Sequence, residues 1–171
     1  MPNYDLPELV QSDVDKICGL PFEEDRFDNM PYDLVDFPHF KTHLIELLAS
    51  DGFGLYEPKT NKEKQYDSSI GFGSFDLQRH TASVDEHTDD VKAGCYFGLF
   101  VLKRNVEFWK GRQWYDCRSE LRYVSPTGTK DRHRLNLYDL VLFNPRRNHE
   151  LIFYGDHVTL ALFDVRKLKA K

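Results

Sequence analysis

Residues 135–165 read LNLYDLVLFNPRRNHELIFYGDHVTLALFDV. Three runs rich in aromatic and β-branched residues are divided by the turn material NPRRN and by a Gly-Asp pair. Each run is too short for a stable helix and carries the residue types of a pleated, half-buried surface, so each is read as a strand. The pattern extends upstream. FGLYE, SIGFGSFDLQRH, CYFGLFVLK, VEFW and ELRYV are strand-like runs, with KTNKEK and SPTGTKD as turns. Strands that follow strands with no helix between them exclude a doubly wound parallel sheet. Roughly eight of them predict a closed or double-sheet β architecture, a barrel or a jelly roll.

The first third of the chain is different. DFPHFKTHLIELLASDG, residues 36–52, places Phe37, Phe40, Leu44, Leu47 and Leu48 on one helical stripe. Asp36 is the expected N-cap and Gly52 the left-handed stop. SDVDKICGL, residues 12–20, reads as a shorter helix capped by Ser12, with Asp15 at its third position and Gly19 near its end. DLPEL and the acidic, proline-containing PFEEDRFDNMPYD read as loops. A helical and loop preface, 1–52, is thus expected to buttress a β core, 53–171, within one domain. The length of 171 residues supports a real core without staples.

Formal charge is −5, which argues against a broad nucleic-acid or anionic-membrane surface; NPRRNH and VRKLKAK still offer material for a local basic groove. Cys18, Cys95 and Cys117 are scattered, odd in number and without a CxxC, as in a reducing, cytoplasmic protein. There is no apolar run of membrane-spanning length, and MPNYDLPELV has neither the basic nor the apolar region of a signal peptide.

SVDEHTDDVKAGCYFGLFVLK, residues 83–103, holds a His-Thr-Asp triplet at the mouth of an apolar run. In extended chain, residues two apart point the same way, so His87 and Asp89 can aim an imidazole and a carboxylate at one point. A third ligand must come from elsewhere, and His149 stands before another apolar run. Two histidines and one carboxylate on one face of a metal leave three positions open.

In the order HTDD, LYDLVLFNPRRNHEL, GDHVTLALFDV, residues of about 70–166, the sequence resembles the 2-oxoglutarate-dependent Fe(II) dioxygenases, in particular the prolyl-hydroxylase-like branch. The resemblance implies a mainly β (α+β) fold, a double-stranded β-helix of the jelly-roll, cupin-like kind with N-terminal buttressing helices. It implies Fe(II) held by His87, Asp89 and His149, with 2-oxoglutarate and O2 as co-substrates. The implied activity is hydroxylation of a C–H bond, most plainly of a peptide or protein side chain, with succinate and CO2 as co-products. A free amino acid or small metabolite is the next substrate class, and nucleic acid the least favoured.

One departure concerns the co-substrate. The family places an arginine at the start of the last strand to hold the far carboxylate of 2-oxoglutarate; here that position is His157, followed by Val158 and Thr159. Some members use a lysine after the HxD instead, and Lys103 lies fourteen residues after Asp89. Simple alternation along CYFGLFVLK puts Lys103 on the face of Cys95, Phe97, Leu99 and Val101. Lys103, His157 and Thr159 are therefore the expected co-substrate ligands, and Arg166 a solvated residue. The substitution keeps two competitors in play: a metal-binding jelly-roll protein that binds a ligand or partner without 2-oxoglutarate chemistry, and a cupin-like metalloenzyme. His39 and His43, one helical turn apart, and His80 are read as packed or surface histidines. Trp109, Trp114 and Tyr115 are candidates for gripping a substrate at the mouth, against the plainer alternative of a hairpin packed on the sheet.

Overall fold

The computed structural model describes residues 6–21, 31–56, 73–105 and 117–168. Two helices, α1 (Glu8–Cys18) and α2 (Pro38–Ser50), precede most of ten strands: β1 (Pro31–Asp33), β2 (Phe53–Leu55), β3 (Ser74–His80), β4 (Val84–His87), β5 (Tyr96–Asn105), β6 (Glu120–Val124), β7 (Lys130–Arg134), β8 (Leu140–Phe143), β9 (His149–Ile152) and β10 (His157–Lys167). They form two antiparallel sheets. One runs β1-β3-β10-β5-β8, with β2 on the far end of β10; the other runs β4-β9-β6-β7. The chain passes back and forth between the sheets from β3 to β10, so each sheet interleaves strands distant in sequence.

β5 and β10 lie at the centre of the larger sheet and pair with each other over Tyr96–Asn105 and His157–Val165. Both faces of the pair are covered, which is why their sequences are nearly continuous apolar runs. Phe97, Leu99, Val101, Val158 and Leu160 point toward the second sheet and meet Leu121, Val141, Phe143 and Leu151. Phe100, Leu102, Ala161, Phe163 and Val165 point the other way, against Val14 and Ile17 of α1 and Phe40, Leu44 and Leu48 of α2. The packing there is close: a Cβ on Gly98 would lie 2.5 Å from Cε2 of Phe163, so any larger residue would force that ring to move.

The helices depart from the sequence expectation at their starts. α1 begins at Glu8, with Pro7 before it, and Ser12 lies inside the helix. Proline is tolerated at a helix entrance, Glu8 suits the first turn, and Val10, Val14 and Ile17 share the buried face. Asp36 does not cap α2; it ends a short 3-10 turn, Leu34–Asp36. The carboxylate comes from α1 instead. Asp13, 3% exposed, accepts the backbone N–H groups of His39 and Phe40 at 2.9 and 3.0 Å. One side chain thus satisfies two orphan donors of α2 and fixes the angle between the helices. Asp13→Ala is expected to lower stability by about 1–2 kcal/mol in urea denaturation, the upper range for loss of an N-cap. Gly52 does end the helix region with φ +82°.

Strand positions follow the sequence where strands are buried and depart from it at the edges. β1 lies in a segment expected as a loop, β7 begins within the expected turn SPTGTKD, and β4 is not among the expected strand runs. The exposed sequences VDEH and KDRHR carry no apolar alternation because β4 and β7 are the two ends of their sheet. The expected strand VEFW and the stretch with Trp109, Trp114 and Tyr115 lie outside the described residues. None of the three cysteines is in a disulfide. Among the described residues no helix is long and apolar enough to cross a membrane.

Candidate metal centre

β4 and β9 are antiparallel neighbours, and His87 sits directly opposite His149 in their register. Their rings are 4.3 Å apart between centroids. Asp89 is not part of the strand: β4 ends at His87, and the chain turns out into a loop. Its place is set by the Asp89 N–H, which donates to the Pro145 carbonyl at 2.7 Å. The HTDD and NPRRNH segments are therefore stapled to each other by backbone. The convergence of His87 and Asp89 arises from this staple, where strand alternation had been expected to supply it.

Ligand atoms of His87, Asp89 and His149 all lie within 4.8 Å of one another. Asp89 Oδ2 is 3.0 Å from His149 Nε2 and 3.9 Å from His87 Nε2. The outer nitrogens are both anchored: His87 Nδ1 to the Asp85 carbonyl at 2.8 Å, and His149 Nδ1 to the Arg147 carbonyl at 3.0 Å. A carbonyl only accepts, so each Nδ1 carries a hydrogen, and Nε2 is the ring atom turned toward Asp89. The two Nε2 atoms and the Asp89 carboxylate converge on one point and could hold a metal ion, with each Nδ1 bonded to a backbone carbonyl. This is the outer-shell arrangement that fixes the tautomer of metal-bound histidines, and the donor set fits a divalent metal held on one face.

The site is graded from dry to wet. His149 is 6% exposed, under the edge of Phe143 at 5.0 Å, whose ring in turn meets Phe97 at 5.7 Å. Asp89 and His87 are 33% and 42% exposed at the side chain. One side of the centre is thus walled by aromatic core, while the other opens to solvent, where a ligand can approach.

The other predicted residues do not join this cluster. The β5–β10 register pairs Lys103 with Thr159 but Val101 with Leu160, so Leu102 is an extra residue, a bulge. Beyond it the alternation is reversed. Lys103 lies on the helix side, exposed, where its charge acts on the Cys18 thiol of α1. It does not share the face of Phe97, Leu99 and Val101. Thr159 and His157 occupy the same phase of β10 as Ala161 and Phe163, again toward the helix side; Val158 and Leu160 take the inward positions. The next inward cation, Arg104, is bound to Asp156 at 2.7 Å, and Asp156 also accepts from the Ser119 backbone N–H and hydroxyl. His43 sets its ring against Phe100, and His80 bonds Gln78 at 2.9 Å. Burial holds His80 down to about 4, so it is neutral at pH 7.

Two carboxyls were missed in the sequence. Asp76 and Asp164, 1% and 4% exposed, project from β3 and β10, and the Cys95 thiol donates to Asp164 at 3.6 Å. Nothing in their local sequence marks them; the inward phase of both strands does.

No protein-family model matches the chain, and neither a curated protein nor a solved structure matches it significantly.

Proposed function

We propose that the chain is a mononuclear non-haem Fe(II) oxygenase on a double-stranded β-helix, hydroxylating a C–H bond of a peptide or protein side chain. The observation that carries the proposal is the meeting of two tautomer-locked Nε2 atoms and one carboxylate at a half-open point. The interleaved strand orders β3-β10-β5-β8 and β4-β9-β6-β7 support a jelly roll, an eight-stranded double-sheet fold.

His87, Asp89 and His149 would hold the iron. Bound there, it supplies one-electron and O2 chemistry that no side chain can perform. The protein's part is placement. The Asp85 and Arg147 carbonyls fix the imidazoles, and the Asp89 N–H to Pro145 fixes the carboxylate. Phe143 and Phe97 exclude water from the inner side of the centre.

2-Oxoglutarate, the co-substrate implied by the family resemblance, does not fit the residues expected to hold it. Lys103, His157 and Thr159 lie toward the helix side, and the inward positions at the start of β10 are apolar. That placement favours the second reading, a metal-binding jelly-roll protein or metalloenzyme that does not use the keto acid. Anaerobic titration of the Fe(II)-loaded protein with 2-oxoglutarate separates the two. A visible metal-to-ligand charge-transfer band, with succinate formed on admitting O2 and peptide, supports the oxygenase in its 2-oxoglutarate form. No band with iron bound supports the second reading.

A further inference from the structure

A groove of about 680 Å³ runs beside the metal centre, with His149 in its wall. Five cations line it: Arg122, Lys130, Arg132, Arg146 and Arg147, against three carboxylates, Glu86, Asp131 and Glu150. In a chain of net charge −5 this is a local reversal of sign. Arg122 is already engaged, at 2.8 Å from Glu120 and 3.6 Å from Glu150. Lys130, Arg132, Arg146 and Arg147 are exposed and form no ion pair among the described residues. Cations outnumber carboxylates here and like charges are set side by side: Arg132 stands directly opposite Arg122 across the β6–β7 register and Arg146 adjoins Arg147.

We propose that this groove binds an acidic peptide segment and presents it to the neighbouring metal centre. The proposal names the substrate class of the site and so rests on the metal-centre reading for its catalytic meaning, though not for binding. Two features favour a peptide over a nucleic acid. The carboxylates interspersed among the cations would repel a continuous phosphate backbone but leave room for a chain with spaced acidic side chains. β7 is also the last strand of its sheet, and it carries Lys130 and Arg132. An extended peptide can pair with its outer edge while its acidic side chains reach those cations. Guanidinium groups suit carboxylates because they bind them through two parallel N–H donors.

The test is fluorescence anisotropy with a labelled Glu-rich decapeptide, competed by a Lys-rich decapeptide and by a single-stranded oligonucleotide. The double variant Arg132→Glu with Arg146→Glu is compared with wild type, its folding checked by its thermal melt. The expected result is saturable binding of the Glu-rich probe, weakened at least about 10-fold by the double variant and by raised salt. The Lys-rich peptide should not compete, and His87→Ala should bind the probe as wild type does. Binding that the double variant leaves unchanged overturns the proposal, as does an oligonucleotide that displaces the probe at lower concentration than the peptide itself. Because His87→Ala removes a metal ligand and leaves the groove, failure of the metal reading shows in iron content alone. Failure of the groove shows in anisotropy alone.

Discussion

Replacing His149 by alanine lowers the affinity of the chain for Fe(II) by about 100-fold or more, beyond the ~10–100-fold that loss of an outer-shell partner costs. His149 is the buried member of the triad, 6% exposed, and the ligand atom nearest Asp89. Its removal takes away one of three donors and also the ring that Phe143 packs against. The same substitution releases the Arg147 carbonyl and loosens the turn that holds Asp89 through Pro145. Competition against a chelator of known affinity measures the loss. Asp89→Asn is the informative companion. It keeps the shape and one oxygen but removes the charge, so it should bind Fe(II) more weakly than wild type and better than His149→Ala. Equal affinity in wild type and His149→Ala would place the metal elsewhere.

Asp76→Asn makes the protein more stable at pH 8 than wild type, by about 1–3 kcal/mol. Burial pushes the Asp76 carboxyl up from the ordinary 3.8 to about 7. Burial likewise raises Asp164 to about 7, with the Cys95 hydrogen bond opposing and the charge of Asp76 adding to it. Folded, Asp76 keeps its proton to about pH 7; unfolded, it releases it near 3.8. Between those values the native state binds more protons than the unfolded one, so stability falls as pH rises. The contribution is complete below about 3.8 and lost above about 7. A shift of this size sets a ceiling of about 4 kcal/mol, reduced by coupling to Asp164. Oδ1 of Asp76 has no hydrogen-bond partner, so the amide forfeits little there. Urea denaturation at pH 5 and pH 8 tests it: the variant should show a smaller difference between the two. A variant less stable than wild type at pH 8 would mean that the ionised carboxylate is held by a compensating contact.

What the sequence made legible follows burial. β5 and β10 are apolar on both faces, so their runs stand out, and the triad is written in segments flanked by such runs. The edge strands β4 and β7 were hidden because their exposed residues are chosen for solubility, with no alternation to read. The Asp13 cap was hidden because its donors lie 26 and 27 residues away. Lys103 was misplaced by one residue: the bulge at Leu102 leaves the apolar pattern intact while reversing the phase beyond it. His157 and Thr159 lie toward the helix side for a different reason, the regular alternation of β10 that they share with Ala161 and Phe163, while the three metal candidates, held by backbone staples, met.

Electron paramagnetic resonance of the anaerobic Fe(II)-loaded protein after addition of nitric oxide tests whether His87, Asp89 and His149 hold a mononuclear iron. A mononuclear iron with an open coordination position gives an S = 3/2 signal. The expected result is that signal at one iron per chain in wild type and its loss in His87→Ala, Asp89→Ala and His149→Ala. An undiminished signal in the three variants, or no iron retained by wild type, would contradict it.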